Sequence, residues 1–251
     1  MKIHSPLVIF WFRRDLRLED NAGLFAALSS GFDVLPVFIF EIDILDKLDK
    51  EKDTRISFVI GALKQLNEAL IDRGTSLTVL QGKPSNVFKE LIKKYNVKGV
   101  YTNEDYEPYT IKRDQEVSEL LKSNEIILFS FKDHVIFSKN SLLTGAAKPY
   151  SIYTPYSKKW KETLKEQDYA AYPSETIRDK WVLRNKKAIP TAEKLGFKTF
   201  KKIYSAPRLD SRVVVDYHRN RDFPAIDGTT IIGAHLRFGT ISIRECVRFA
   251  L

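Results

Sequence analysis

Between residues 8 and 132, short runs of apolar, β-favouring residues alternate with stretches of helical period, and the alternation repeats four times after the opening run. No other property restricts the fold as much. Val8-Ile9-Phe10-Trp11-Phe12 is followed by a charged loop and then by the apolar stretch 22–28, which is how a βα unit begins. Residues 33–40 read as a second buried strand and 54–73 as a helix. In that helix Ile56, Val59, Ile60, Leu63, Leu66 and Leu70 recur at spacings of three and four and share one face. Thr54 suits its N-cap and Gly74 its C′ position. The pattern continues with a strand at 76–80, a helix at about 85–95, a strand at 97–102, a helix at about 109–122 and a strand at 125–129. Buried strands separated by helices form parallel sheets covered on both faces. With right-handed crossovers, the expected fold is α/β, a Rossmann-like, doubly wound, parallel five-stranded sheet.

The loop after the first strand, Arg13-Arg14-Asp15-Leu16-Arg17-Leu18-Glu19-Asp20-Asn21, carries three arginines and three acids. Ligands of open α/β sheets sit where strands end, so the loop is either a ligand-holding element or a turn in which the arginines pair with Asp15, Glu19 and Asp20. No GxGxxG follows the first strand, which weighs against a nicotinamide dehydrogenase.

From 133 to 199 the periodicity gives way to Ser, Lys, Pro and aromatic residues. A connection this long is unusual inside one domain, so it reads as a linker between a domain at 1–132 and a second region at 200–251. Its Tyr150, Tyr153, Tyr156 and Trp160 are expected to pack against one or both. Beyond it the chain turns helical at 211–220, bends around Asp222-Phe223-Pro224 and becomes helical again from Thr229.

The formal net charge of +9 lies entirely in the second part. Residues 1–132 hold 19 basic and 20 acidic side chains, whereas 133–251 hold 22 and 12. Such asymmetry marks either a polyanion partner, nucleic acid first, or a lysine-rich solvated surface. A single cysteine, Cys246, excludes an internal disulfide. His4, His134, His218 and His235 lack metal-ligand spacing, so no metal is expected. No apolar run approaches the ~18 residues of a membrane span, and the first six residues lack the apolar core of a signal peptide. A soluble, cytoplasmic, monomeric protein is the expectation.

In the stretch from Tyr217 to Ser242, Gly228 permits close backbone approach, and Thr229 and Thr230 supply hydroxyls. A helix starting there would direct free N–H groups outward, as a phosphate cradle or as an ordinary capped helix.

Two of these stretches resemble known motifs. Phe10-Trp11-Phe12-Arg13-Arg14-Asp15-Leu16-Arg17-Leu18-Glu19-Asp20-Asn21 is similar to the N-terminal signature of the DNA photolyase and cryptochrome family. Tyr217 with Arg221-Asp222-Phe223-Pro224, Gly228-Thr229-Thr230 and Leu236-Arg237-Phe238-Gly239-Thr240-Ile241-Ser242 resembles that family's flavin-binding region. The segment 150–155 carries a related YSxxTP pattern, and Asn103 to Asp114 also resembles the family.

The resemblance implies an antenna-binding domain, a linker and the start of an all-α FAD-binding domain. It places Tyr217, Thr229, Thr230, Ile231, Ile232 and Gly233 on FAD, chiefly its phosphates, and Arg221 on a DNA phosphate, with a salt bridge to Asp222 or Asp227 as the competing use. Glu107 falls where a carboxylate hydrogen-bonds the pterin of a folate antenna; in the residues themselves it is equally an acid at a helix start, with Pro108 at the first helical position. Some members use a deazaflavin instead of methenyltetrahydrofolate. Ile231, Ile232 and Gly233 stand where the family usually has Ser or Arg, Leu and Ser, and Ala234 replaces a Pro; these departures bear on flavin affinity.

The implied activity is that of a deoxyribodipyrimidine photo-lyase, in which reduced FAD passes an electron to a cyclobutane pyrimidine dimer flipped out of damaged DNA. Family members continue past the position of Leu251. The chain is therefore expected to be a truncated, inactive fragment without catalytic residues, its Trp11, Trp160 and Trp181 serving in packing. The alternatives are a cryptochrome-like blue-light photoreceptor without repair, and a stand-alone α/β nucleotide- or pterin-binding module.

Overall fold

A computed structural model describes residues 3–201 and 203–251. Met1, Lys2, Lys202 and the side chains of Ile3 and His4 lie outside the described residues, and with them most of the N-terminal hexapeptide and the His4 assignment.

Five strands, β1 (Ile3–Phe12), β2 (Asp33–Glu41), β3 (Thr78–Gly82), β4 (Tyr95–Asn103) and β5 (Ile127–Phe131), pair in parallel in the order β3-β2-β1-β4-β5. The helices between them are α1 (Ala22–Leu28), α2 (Ile42–Leu45), α3 (Arg55–Ile71), α4 (Pro84–Lys94) and α5 (Pro108–Lys122). The doubly wound α/β fold expected from the alternation is the one that forms. The chain first winds outward from β1 to β3 and then returns to β4, so the order reverses beside β1 and leaves a crevice at the carboxyl ends there.

β1 is apolar almost throughout because both its faces are covered. Val8, Phe10 and Phe12 enter one core layer with Leu24 of α1 and Leu63 of α3, while Leu7, Ile9 and Trp11 enter the other with Phe88 of α4 and Val117 of α5. The expected apolar face of α3 is buried throughout. Asn21 caps α1 by accepting from Leu24 N at 3.0 Å. Thr54 occupies the N-cap of α3 but makes no capping bond, because its backbone is already helical (φ −81°, ψ −12°). Asp53 receives the Arg55 N–H instead, at 2.9 Å. Gly74 takes the left-handed conformation (φ 77°), two places past the C-cap Asp72 rather than one.

The connection 133–199 is more ordered than its composition suggests. It contains α6 (Tyr153–Thr163) and three short 3-10 turns. Contrary to expectation, Tyr153 is 75% exposed and α6 buries no residue. Its aromatic side chains pair within the connection, Trp160 on Phe137 and Tyr150 on Tyr156. Docking falls to the later part. Residues 180–182 bridge to β2 at Val34, before β3 begins to pair, with Val34 N to Lys180 O and Val182 N to Val34 O both 3.0 Å. Trp181, Ile189, Ala192 and Phe197 then complete the core layer beside α3.

Three helices follow: α7 (Ser211–Asn220), α8 (Gly233–Phe238) and α9 (Ile243–Ala250). The helix expected from Thr229 starts at Gly233, because Ile231 adopts a positive φ of 52°, which an α-helix does not accommodate. Among the described residues no helix is long and apolar enough to cross a membrane.

Candidate functional site

The arginines of the β1–α1 loop do not pair with the loop's own acids; two of the three span the crevice. Arg13 ion-pairs with Asp114 of α5 at 2.5 Å and donates to the Asn103 carbonyl at the end of β4. Arg14 reaches Asp105 at 3.0 Å and Glu107 at 3.1 Å. Arg17 turns the other way, to Asp133 at 2.7 Å. Asp15 stays local, taking the Arg13 backbone N–H and the Asn103 amide, each at 2.6 Å. Burial raises its carboxyl, against those two donors.

A cleft of about 410 Å³ opens over the carboxyl ends of the strands. Phe38, Phe40, Leu45, Ile56, Val59 and Phe238 give it apolar walls, and Arg13, Arg14, Glu41, Glu107, Tyr109, Arg113 and Arg237 are among its polar groups. At its inner end Arg113 lies 2.5 Å from Glu41 Oε1, and the Tyr109 hydroxyl donates to Glu41 Oε2 at 2.9 Å. Burial raises the Glu41 carboxyl although both partners favour its charged form. The Tyr109 phenol is raised by burial and by that neighbouring carboxylate. The Arg13 and Arg113 guanidinium carbons lie 4.8 and 4.9 Å from the Trp11 ring centre, which fixes where both heads sit.

Arg237 and Phe238 bring a further part of the lining from the second region. Leu16 N donates to Phe238 O at 3.1 Å, Arg14 Nε to Arg237 O at 3.1 Å and Arg17 to Gly239 O at 3.1 Å. His134 Nε2 lies 2.7 Å from Leu236 O. Arg237 thereby reaches Glu107 Oε1 at 2.6 Å. Glu107 occupies the N-cap of α5 ahead of Pro108, as the sequence suggested, but its side chain caps nothing; it is engaged by the two arginines.

α9 is fastened to the same loop. Arg244 lies 2.9 Å from Asp20 and 2.7 Å from Asp133, and Arg248 lies 2.8 Å from Asp20. Ser242 donates to Asp20 at 2.8 Å while capping α9 through Arg244 N at 3.1 Å. Burial by itself would raise Asp20 and Asp133, but the guanidiniums outweigh it, Arg244 on Asp20 and Arg17 followed by Arg244 on Asp133, and hold both below the usual carboxylate range.

The six residues expected on FAD are only partly brought together. Tyr217, Thr230 and Ile232 share an open hollow of about 200 Å³ with Val214, Cys246 and Phe249, whereas Thr229, Ile231 and Gly233 do not line it, and Ile231 is 76% exposed. The hollow offers two hydroxyls, mostly apolar walls and no cation, which fits an aromatic ring better than a diphosphate. Burial, followed by the Glu245 charge, lifts the Cys246 thiol to about 11, so it stays protonated at neutral pH. The close approach at Gly228 is made to its own chain: a Cβ there would stand 2.4 Å from Asn220 Cβ. Arg221 is exposed, outside both cavities, with Nε 3.6 Å from Asp222.

Sequence reasoning found Arg13, Arg14 and Glu107 but missed Glu41, Tyr109, Arg113 and Arg237. Tyr109 and Arg113 lie in a stretch already singled out. Arg237 likewise lies in the flagged 236–242 stretch, whereas Glu41 meets the site only through the topology and no spacing announces it.

Comparison with known proteins places these features in context. A family model described as DNA photolyase matches residues 8–175. A deoxyribodipyrimidine photo-lyase of Synechococcus sp. is 31% identical over 260 residues, covering 97% of this chain and 53% of the relative. The chain spans about half the length of the curated photolyases it matches. An archaeal photolyase from Sulfolobus tokodaii, solved with two FAD molecules, superposes with a TM-score of 0.70 at 27% identity, over 96% of this chain and 54% of that one. A bacterial class III photolyase from Agrobacterium tumefaciens shares the fold, with a TM-score of 0.78 at 24% identity over 99% of this chain and 54% of that one.

Proposed function

The chain belongs to the DNA photolyase family, and from that premise we propose that it serves light-driven repair of cyclobutane pyrimidine dimers, as a deoxyribodipyrimidine photo-lyase. Residues 1–132 collect light, 133–199 connect, and 200–251 contribute to holding FAD. The observation that carries this reading is the cleft at the strand ends. Its volume, apolar walls and convergent polar groups suit a small-molecule site and a planar antenna pigment such as methenyltetrahydrofolate or a deazaflavin.

Tyr217, Thr230 and Ile232 provide an edge for the flavin, with Thr229, Ile231 and Gly233 beside it on the same turn. Reduced FAD supplies the electron that opens the dimer; the residues of this chain bind, orient and exclude water. Damaged DNA is the partner, with exposed Arg221 exchanging its Asp222 contact for a backbone phosphate and the basic excess of 133–251 behind it.

The test is reconstitution. The purified protein is loaded with FAD and separately with each antenna pigment, its near-ultraviolet and blue absorbance is recorded, and dimer-containing oligonucleotides are assayed for repair under illumination. Pigment retained in the cleft together with light-dependent dimer loss is the expected result. Flavin binding with light-induced spectral change but no dimer loss would indicate a photoreceptor without repair. Failure to retain any pigment or flavin would leave a plain α/β binding module.

A further inference from the structure

At the mouth of the cleft two guanidiniums converge on one carboxylate oxygen. Arg14 and Arg237 stand 3.1 and 2.6 Å from Glu107 Oε1. Further in, Arg113 is 6% exposed and its Nη2 has no hydrogen-bond acceptor, lying only 2.8 Å from Asp114 Oδ1 without alignment. The mouth of the cleft therefore holds two cations on one carboxylate oxygen, in a lining that also includes Phe38, Phe40 and Val59. That pairing suits a flat ring carrying an anionic tail.

We propose, resting on the cleft reading above, that Glu107 is a built-in competitor for that tail. It occupies Arg14 and Arg237 until the phosphate of a phosphate-bearing aromatic displaces it, and it thereby selects against neutral molecules with the same ring. Glu107 is placed to let go. It is 47% exposed and caps no helix N–H, so the released carboxylate meets water and leaves α5 intact. Asp105, which also holds Arg14, is buried and cannot swing out in the same way. A monocarboxylate only matches what Glu107 already provides. A phosphate brings nearly two charges and three acceptors to the two forked donors, and the N-terminal end of α5 favours negative charge at the same place.

This role is opposite in sign to that of a carboxylate accepting hydrogen bonds from the ligand. The experiment uses two probes that share a ring and differ in a phosphate, FMN and riboflavin, and a reporter confined to the cleft. Ile44 lines the mouth and is exposed, so the indole introduced by Ile44→Trp reports quenching by a ring bound there. In that background Glu107→Gln is expected to tighten FMN about tenfold and to change riboflavin less than about twofold, with the FMN gain shrinking as salt is raised. Glu107→Ala should behave alike, which separates lost charge from any contact of the new amide. Equal FMN affinity with and without the carboxylate overturns the proposal while leaving the cleft reading in place. Weaker binding of both probes in both variants also overturns it, and assigns Glu107 as a ligand acceptor. Absence of quenching by either probe in every protein removes the cleft reading and this proposal together.

Discussion

Arg17 and Asp133 stand 116 positions apart in the chain and 2.7 Å apart in space, and both are almost wholly buried. Arg244 joins the same carboxylate from α9. The β1–α1 loop is thus at once the rim of the cleft and the anchor of α9, and three tests follow from that double use.

Removing Arg244 takes the main countercharge from Asp20 and leaves Asp133 with Arg17 alone, in a buried setting. Arg244→Met is expected to cost about 3–5 kcal/mol in chemical denaturation, because an uncompensated buried charge is far more costly than a lost surface pair. Arg248→Ala, at the partly exposed edge of the network, should cost about 1 kcal/mol or less. Equal losses would show that the network is not buried in solution.

The same carboxylates set the acid limb of stability. Their folded pKa values lie below the unfolded value of about 3.9, so the stability they confer is complete above that value and is lost as pH falls through the depressed folded pKa. Asp15 and Glu41, raised by burial, act oppositely and relieve a cost on acidification. Denaturation midpoints of the natural chain should therefore fall below about pH 4, and that fall should shrink in Arg244→Met. Parallel pH profiles would contradict the assignment.

Gly239 follows α8 with φ 62°, and a Cβ there would stand 2.1 Å from Arg14 O and 2.6 Å from Asp15 Cα. Gly31 has a comparable φ of 85° with nothing within 4 Å. Gly31→Ala should cost about 1–2 kcal/mol, the penalty of a left-handed alanine. Gly239→Ala should cost at least about 3 kcal/mol, because two backbones must also part. Thermal melts of the two variants give the comparison, and similar shifts would mean that the loop and α8 do not touch.

Arg221 gives the nucleic-acid test. If it neutralises one backbone phosphate, Arg221→Ala lowers the slope of log affinity against log salt by about one for duplex DNA, evenly across sequences. An unchanged slope removes Arg221 from the interface and leaves it to Asp222.

The sheet was readable because its signal is local. Val8 to Phe12 alternates into two core layers, and α3 repeats its apolar residues at helical spacing. The misses have physical causes. β5 begins at Ile127 rather than 125 because Glu125 takes a left-handed φ of 61° and belongs to the preceding turn. Trp181 docks through a single bridge, too short to leave an alternating pattern. In the cleft, Arg14, Glu107 and Arg113 stood in flagged stretches, but the pairing of Arg113 with Glu41, 72 positions away, comes only from the topology. Thr229 and Thr230 look like a cap in one dimension, and the positive φ of Ile231 is invisible there.

The exposed helix α6 lies between a sheet and a returning segment whose Trp181 and Phe197 are lodged in that sheet's interior. Backbone scission within α6 would therefore cut the polypeptide without parting it: the two pieces would travel together as a nicked but intact body, separable only once the interior itself is dissolved.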